Sequence, residues 1–175
     1  RGDWSTIRGA SPVEYLDGLK SLFGFYNNVR PNPFALGRVE IIKGPSSVLY
    51  GQGSIAGIVN LVSKRPDFER RGEAWLSFGN FDRSQGGLDV TGPLNEDHTV
   101  LYRLVGMARD SGSQVDHVSD NTTMLAPSLT WRPSLRTSLT LLTNLQANEA
   151  GTSTQFLPWA GTVLPGPNGP IESSV

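Results

Sequence analysis

The sequence predicts an all-β chain, with about five long antiparallel strands of a partial transmembrane barrel preceded by a smaller domain of short strands and turns. Three observations point there. From Glu73 onward, apolar and polar residues alternate with period two in runs of about ten residues, as barrel walls do. The connections between those runs include short turns and long loops. Before about position 67 the pattern is different: brief β-type runs are separated by segments rich in Gly and Pro.

In the first region, Thr6-Ile-Arg-Gly9 and Glu14-Tyr-Leu-Asp-Gly18 predict a strand, a loop and a second strand that ends in an Asp-Gly turn. Lys20–Pro33 is aromatic and polar, and Pro31 and Pro33 forbid regular pairing there. Pro33–Leu36 predicts a single helical turn. Val39–Ile42 and Ile58–Ser63 predict two strands around a segment with Gly44, Pro45, Gly51, Gly53 and Gly57, a density that signals tight bends or close backbone approach.

The second region predicts strands at Glu73–Asn80, Gln85–Leu94, Thr99–Asp110, Thr122–Trp131 and Thr137–Asn148. Ala74, Leu76 and Phe78 share one face. Tyr102, Leu104 and Ala108 oppose Arg103, Met107 and Arg109, and Leu139, Leu141 and Leu145 oppose Thr140, Asn144 and Gln146. Asn95–His98 and Pro133–Arg136 are short connections, whereas Ser111–Asn121 and Gly151–Val175 are long, polar and rich in Gly and Ser. Short turns on one side and long loops on the other suit a membrane barrel. A soluble β-sandwich also alternates, but its strands are usually shorter.

Composition agrees. The chain has 175 residues, 37% hydrophobic and 18% charged, values low for a compact soluble domain. The net charge of −1 offers no steering toward nucleic acid, and without cysteine there is no disulfide or thiol chemistry. No run of eighteen apolar residues exists to make a membrane helix. His98 and His117 stand nineteen residues apart with no carboxylate or Cys at metal-ligand spacing. Gly51–Gly57 lacks the Lys-Ser/Thr ending of a phosphate loop, so it reads as turn chemistry. No nucleophile–base set appears, so the expected function is not enzymatic and needs no cofactor.

The run Arg38-Val-Glu-Ile-Ile-Lys-Gly-Pro-Ser-Ser-Val-Leu-Tyr-Gly-Gln-Gly-Ser-Ile-Ala-Gly-Ile-Val-Asn-Leu-Val-Ser-Lys-Arg-Pro66 closely resembles the end of the plug domain of TonB-dependent outer-membrane receptors, in particular the ferric-siderophore receptors. The resemblance implies that residues 1–66 are the C-terminal part of an α+β plug domain and that residues 67–175 are the first strands of the barrel. Arg1 falls inside a motif, so the chain is expected to be an internal fragment. The implied function is energised import: a ferric siderophore binds in the bacterial cell outer membrane, and the TonB energy-transducing complex acts on the plug. Outer-membrane lipid is the other implied partner.

Tyr15-Leu-Asp-Gly-Leu-Lys-Ser-Leu-Phe-Gly-Phe-Tyr-Asn27 looks like the plug apex of ferrichrome-type hydroxamate receptors, where an adjacent Phe-Tyr pair touches the ligand. Carried over, Phe25 and Tyr26 are the ligand contacts, Tyr26 offering a ring face and a hydroxyl. Gln155-Phe-Leu-Pro158 looks like the loop where that subgroup places an aromatic contact, which nominates Phe156, with Trp159 nearby. The siderophore coordinates the iron fully, so no protein metal ligand is implied. Arg8 and Lys43 stand where the family's basic plug residues meet glutamates of the inner barrel wall, on strands beyond this chain. Arg38 and Glu40 share a face of one short strand. Between Gly9 and Tyr15 the sequence is a few residues shorter than the ferrichrome-type pattern, so the particular siderophore stays open. A receptor of the same family for cobalamin, haem or a carbohydrate is the alternative, and a plugless porin or adhesion barrel is a second one.

Overall fold

A computed structural model of the chain describes residues 6–21, 30–44, 54–114, 118–151, 159–167 and 169–170. The strands among them fall into two sheets.

The first sheet contains β1 (Val13–Leu16), β2 (Leu19–Lys20), β3 (Leu36–Lys43) and β4 (Gly57–Ser63), in the order β2-β1-β4-β3. β1 runs parallel to β4, and the other pairs are antiparallel. The β1–β2 turn is Asp17-Gly18, with φ of 51° and 83°, the double positive φ that a two-residue hairpin needs and that Asp-Gly tolerates. Asp17 then staples the sheet: its carboxylate accepts hydrogen bonds from Ser63 N at 2.9 Å and Ser63 Oγ at 2.6 Å. Buried Asn60 is satisfied on both sides, donating to Glu40 Oε2 at 2.8 Å and accepting from Gly18 N at 3.1 Å. Thr6–Gly9, expected as a strand, is instead a tight turn in which Ile7 and Ala10 exchange backbone hydrogen bonds of 2.9 and 3.1 Å. Arg8 and Gly9 adopt φ of 53° and 81°, the same geometry as Asp17-Gly18. Pro33–Ala35 forms the expected single turn, of 3-10 type, capped by Asn32 Oδ1, which accepts from Phe34 N at 3.0 Å.

The second sheet is antiparallel throughout: β5 (Arg71–Phe78), β6 (Ser84–Pro93), β7 (Val100–Asp110), β8 (Asp120–Ser134), β9 (Thr137–Leu142) and β10 (Leu145–Ala150). β9 and β10 both pair with β8 and keep one register, Leu142 opposite Ser128 and Leu145 opposite Leu125. They are one expected strand with a gap at Thr143–Asn144. The register puts Pro127 opposite Thr143; Pro127 O accepts from Thr143 N at 3.1 Å, but proline has no N–H to return.

Burial in this sheet is inverted relative to a soluble protein. Leu76 and Phe78 are each 78% exposed and Leu141 65%, while inward-facing Asp89 is 6% exposed and Thr91 3%. The outward face continues through Leu88, Leu125, Leu129, Trp131, Leu139 and Leu145, all exposed. A sandwich would bury that face, so the sandwich reading fails; an apolar exterior around a polar interior is what hydrocarbon selects. The two sheets meet on the polar side, where Ala35, Val105, Met107 and Met124 form a small buried core against Phe34, Trp75 and Ala126. Among the described residues no helix is long and apolar enough to cross a membrane.

Candidate functional site: the contact between the two sheets

Two clusters fasten the first sheet to the inner face of the second. The first lies where the chain leaves β4. Lys64 Nζ is 2.8 Å from Asp89 Oδ2 on β6. Arg103, on β7, grips the same carboxylate with both arms of its fork, Nη2 to Oδ2 at 2.7 Å and Nε to Oδ1 at 2.8 Å. Its remaining Nη1 donates to Arg65 O at 3.0 Å. The Lys64 ammonium also lies 4.1 Å from the centre of the Phe34 ring, and that ring meets Trp75 edge-on at 5.7 Å. Gly87 makes this stacking feasible: a Cβ there would come 3.0 Å from Phe34 Cε1 and closer still to the Trp75 indole. Lys64 N donates to Ala35 O at 2.9 Å, and Asp67 N to Thr91 Oγ1 at 2.9 Å. The exit of the first sheet is thus held by paired charges, backbone bonds and aromatic packing together. Two cations share one carboxylate with little water present, so each depends on Asp89.

The second cluster is neutral. Gln146 on β10 accepts from Asn32 N at 3.1 Å and donates to Arg30 O at 3.0 Å. Its amide also donates to Asn148 Oδ1 at 3.1 Å.

Sequence-nominated residues are distributed unevenly around these clusters. Phe25, Tyr26 and Phe156 lie outside the described residues. Trp159 is 67% exposed and begins a tight turn, not a regular helix: Gly161 has φ of 96°, and Trp159 O accepts from both Val163 N and Leu164 N at 3.1 Å. Arg8 and Lys43 are exposed, and among the described residues neither has a carboxylate partner. Arg38 and Glu40 pair with each other at 2.7 Å. The hydrogen bond from Asn60, then that from Arg38, holds the Glu40 carboxyl below the usual carboxylate range. His98 sits in the β6–β7 turn with φ of 53°, and among the described residues no cluster of His, Cys, Asp and Glu could hold a metal.

The Asp89 and Gln146 clusters went unnoticed in the sequence. Asp89 and Arg103 did carry a signal, since both occupy inward positions of neighbouring strands. Lys64 and Gln146 carried none, because their partners are 25 and more than 100 residues away.

A sheet that is apolar outside and polar inside, with a second small sheet fastened to its polar face, defines a plugged membrane β-barrel. Comparison with known proteins identifies which kind. Residues 1–58 match the TonB-dependent Receptor Plug Domain. The ferrioxamine B receptor of Salmonella typhimurium is 39% identical over 180 residues, covering 99% of this chain and 26% of the relative. The ferrichrome outer membrane transporter/phage receptor of Escherichia coli K12 is 41% identical over 162 residues, covering 92% of this chain and 22% of that protein. The solved pyoverdine outer membrane receptor FpvA of Pseudomonas aeruginosa PAO1, bound to pyoverdine, superposes with a TM-score of 0.73 at 30% identity, covering 84% of this chain and 23% of that one. The chain belongs to the TonB-dependent outer-membrane siderophore receptor family. It spans about a quarter of the length of these relatives. The plug match removes the plugless porin from consideration, and the named relatives are receptors and transporters, not enzymes.

Proposed function

We propose that this chain is the plug-to-wall portion of a receptor that binds a ferric siderophore of hydroxamate type and imports it with energy delivered by the TonB complex. In this reading residues 1–66 belong to the plug and residues 67–175 to the first strands of the barrel wall, and the protein catalyses no reaction. The observation that carries it is the 39% identity to a ferrioxamine B receptor along 99% of the chain. Phe25, Tyr26, Phe156 and Trp159 are the ligand contacts. Connectivity supports grouping them: Arg30 and Asn32, just after residues 22–29, are tied to Gln146, and the strand bearing Gln146 ends at Ala150, at the entry to the segment with Phe156 and Trp159. Arg8 and Lys43 await glutamates on the remaining wall.

The test is tryptophan-fluorescence titration of the full-length receptor in detergent with ferric ferrichrome, ferric ferrioxamine and a ferric catecholate. Tight quenching by a hydroxamate alone is expected. A response to the catecholate alone, or none at all, removes the hydroxamate reading and the aromatic contact set, and turns attention to the other cargoes of the family.

A further inference from the structure

Gln146, a side chain of the barrel wall, pairs with the backbone of the plug. One amide supplies both an acceptor, to Asn32 N at 3.1 Å, and a donor, to Arg30 O at 3.0 Å, the two halves of a strand-like backbone pairing. Asn148, two residues along the same face, accepts from the same amide nitrogen and fixes the orientation of the group. Asn32 is also committed elsewhere. Its side chain caps the Pro33–Ala35 turn, which carries Phe34 and Ala35 into the core. Gln146 therefore sets the height at which Arg30–Asn32 lies on the wall.

We propose that Gln146 is a positioning residue for ligand binding, an amide clamp that registers the plug segment Arg30–Asn32 against the wall strand β10. The inference rests on the reading that Phe25, Tyr26, Phe156 and Trp159 contact the siderophore. If contacts come from both plug and wall, affinity depends on their relative placement, and a misplacement is felt in binding before it is felt in stability. Neutral hydrogen bonds suit the task, because each is individually weak and the pair can release when the plug rearranges.

The experiment compares the full-length receptor with its Gln146→Ala and Gln146→Glu variants. Three quantities are read: affinity for ferric ferrioxamine and ferric ferrichrome, hydrogen exchange in the plug peptide 30–36, and the thermal transition of the barrel. Losing two neutral hydrogen bonds predicts roughly tenfold weaker hydroxamate binding in Gln146→Ala. Faster exchange at Asn32 and an unchanged barrel transition accompany it. Gln146→Glu keeps the acceptor and loses the donor, so Asn32 stays protected and affinity falls by roughly threefold. Unchanged exchange at Asn32 in Gln146→Ala overturns the clamp. Faster exchange with unchanged affinity overturns the positioning role. A wild-type receptor that binds neither hydroxamate sinks the functional reading instead, and the exchange comparison alone then decides whether the clamp exists.

Discussion

The plug sheet and the wall sheet dispose of polar groups in opposite ways. In the plug sheet, polar side chains are consumed internally: Asp17 by Ser63, Asn60 by Glu40 and Gly18. In the wall sheet, they line one face and are consumed by the plug, as Asp89 is by Lys64, while the other face carries exposed Leu, Phe and Trp. An exposed leucine means little by itself, but a continuous apolar face backed by buried polar residues means that the outer solvent is not water. The difference shows that the chain was selected for two environments at once, hydrocarbon outside the wall and a polar lumen within it.

The comparison breaks most severely at Asp89. In the full-length receptor, Asp89→Ala strands two poorly solvated cations, Lys64 and Arg103, whose side chains are only 16% and 18% exposed. A loss of about 3–5 kcal/mol in plug docking is expected, read as protease sensitivity within residues 57–66 while the barrel stays folded. Resistance equal to wild type would show that the charges are not what holds the exit.

A smaller effect sharpens the inside–outside assignment. Leu141→Arg, on the outward face, should cost about 2–4 kcal/mol of folding into bilayers if it lies near the midplane, whereas inward-facing Asn144→Arg should cost well under half of that. Equal costs, measured by denaturant titration in vesicles, would remove the lipid-facing assignment. Gly87→Val should then cost about 1–3 kcal/mol by pushing Phe34 and Trp75 apart, visible as a red-shifted Trp75 emission; an unshifted spectrum would mean that the plug turn gives way freely.

The smallest effect concerns Glu40. Its carboxyl is lowered in the folded state, so its contribution is present above the ordinary carboxylate pKa and disappears as pH falls through the lowered value. Protection of the β3–β4 amides should decline on acidification in the wild type. In Glu40→Gln the decline should be shallower. Superimposable pH profiles would contradict the linkage.

Much of this is legible in the amino-acid sequence. The barrel strands were evident because alternation is a local signal, and each strand reports its own two faces. The Asp17-Gly18 turn and the Pro33–Ala35 turn were legible for the same reason, since each is specified by adjacent residues. The same rule misread Thr6–Gly9, where Arg8-Gly9 makes a turn as tight as Asp17-Gly18 but without the Asp-Gly signal. The strand gap at Thr143 went unseen because its cause, Pro127, sits on the neighbouring strand. The fastening clusters were the least legible part, since Gln146 meets Asn32 only after the whole intervening chain has folded.

Cellular uptake tests most directly the proposal that this chain belongs to an energised importer of ferric hydroxamates. Bacteria producing the full-length receptor would be given radioiron complexed to ferrioxamine or ferrichrome, with and without a functional TonB complex. Accumulation that requires both the receptor and TonB is the predicted result. Accumulation that persists without TonB, or that is absent for both hydroxamates while another cargo is taken up, would contradict it.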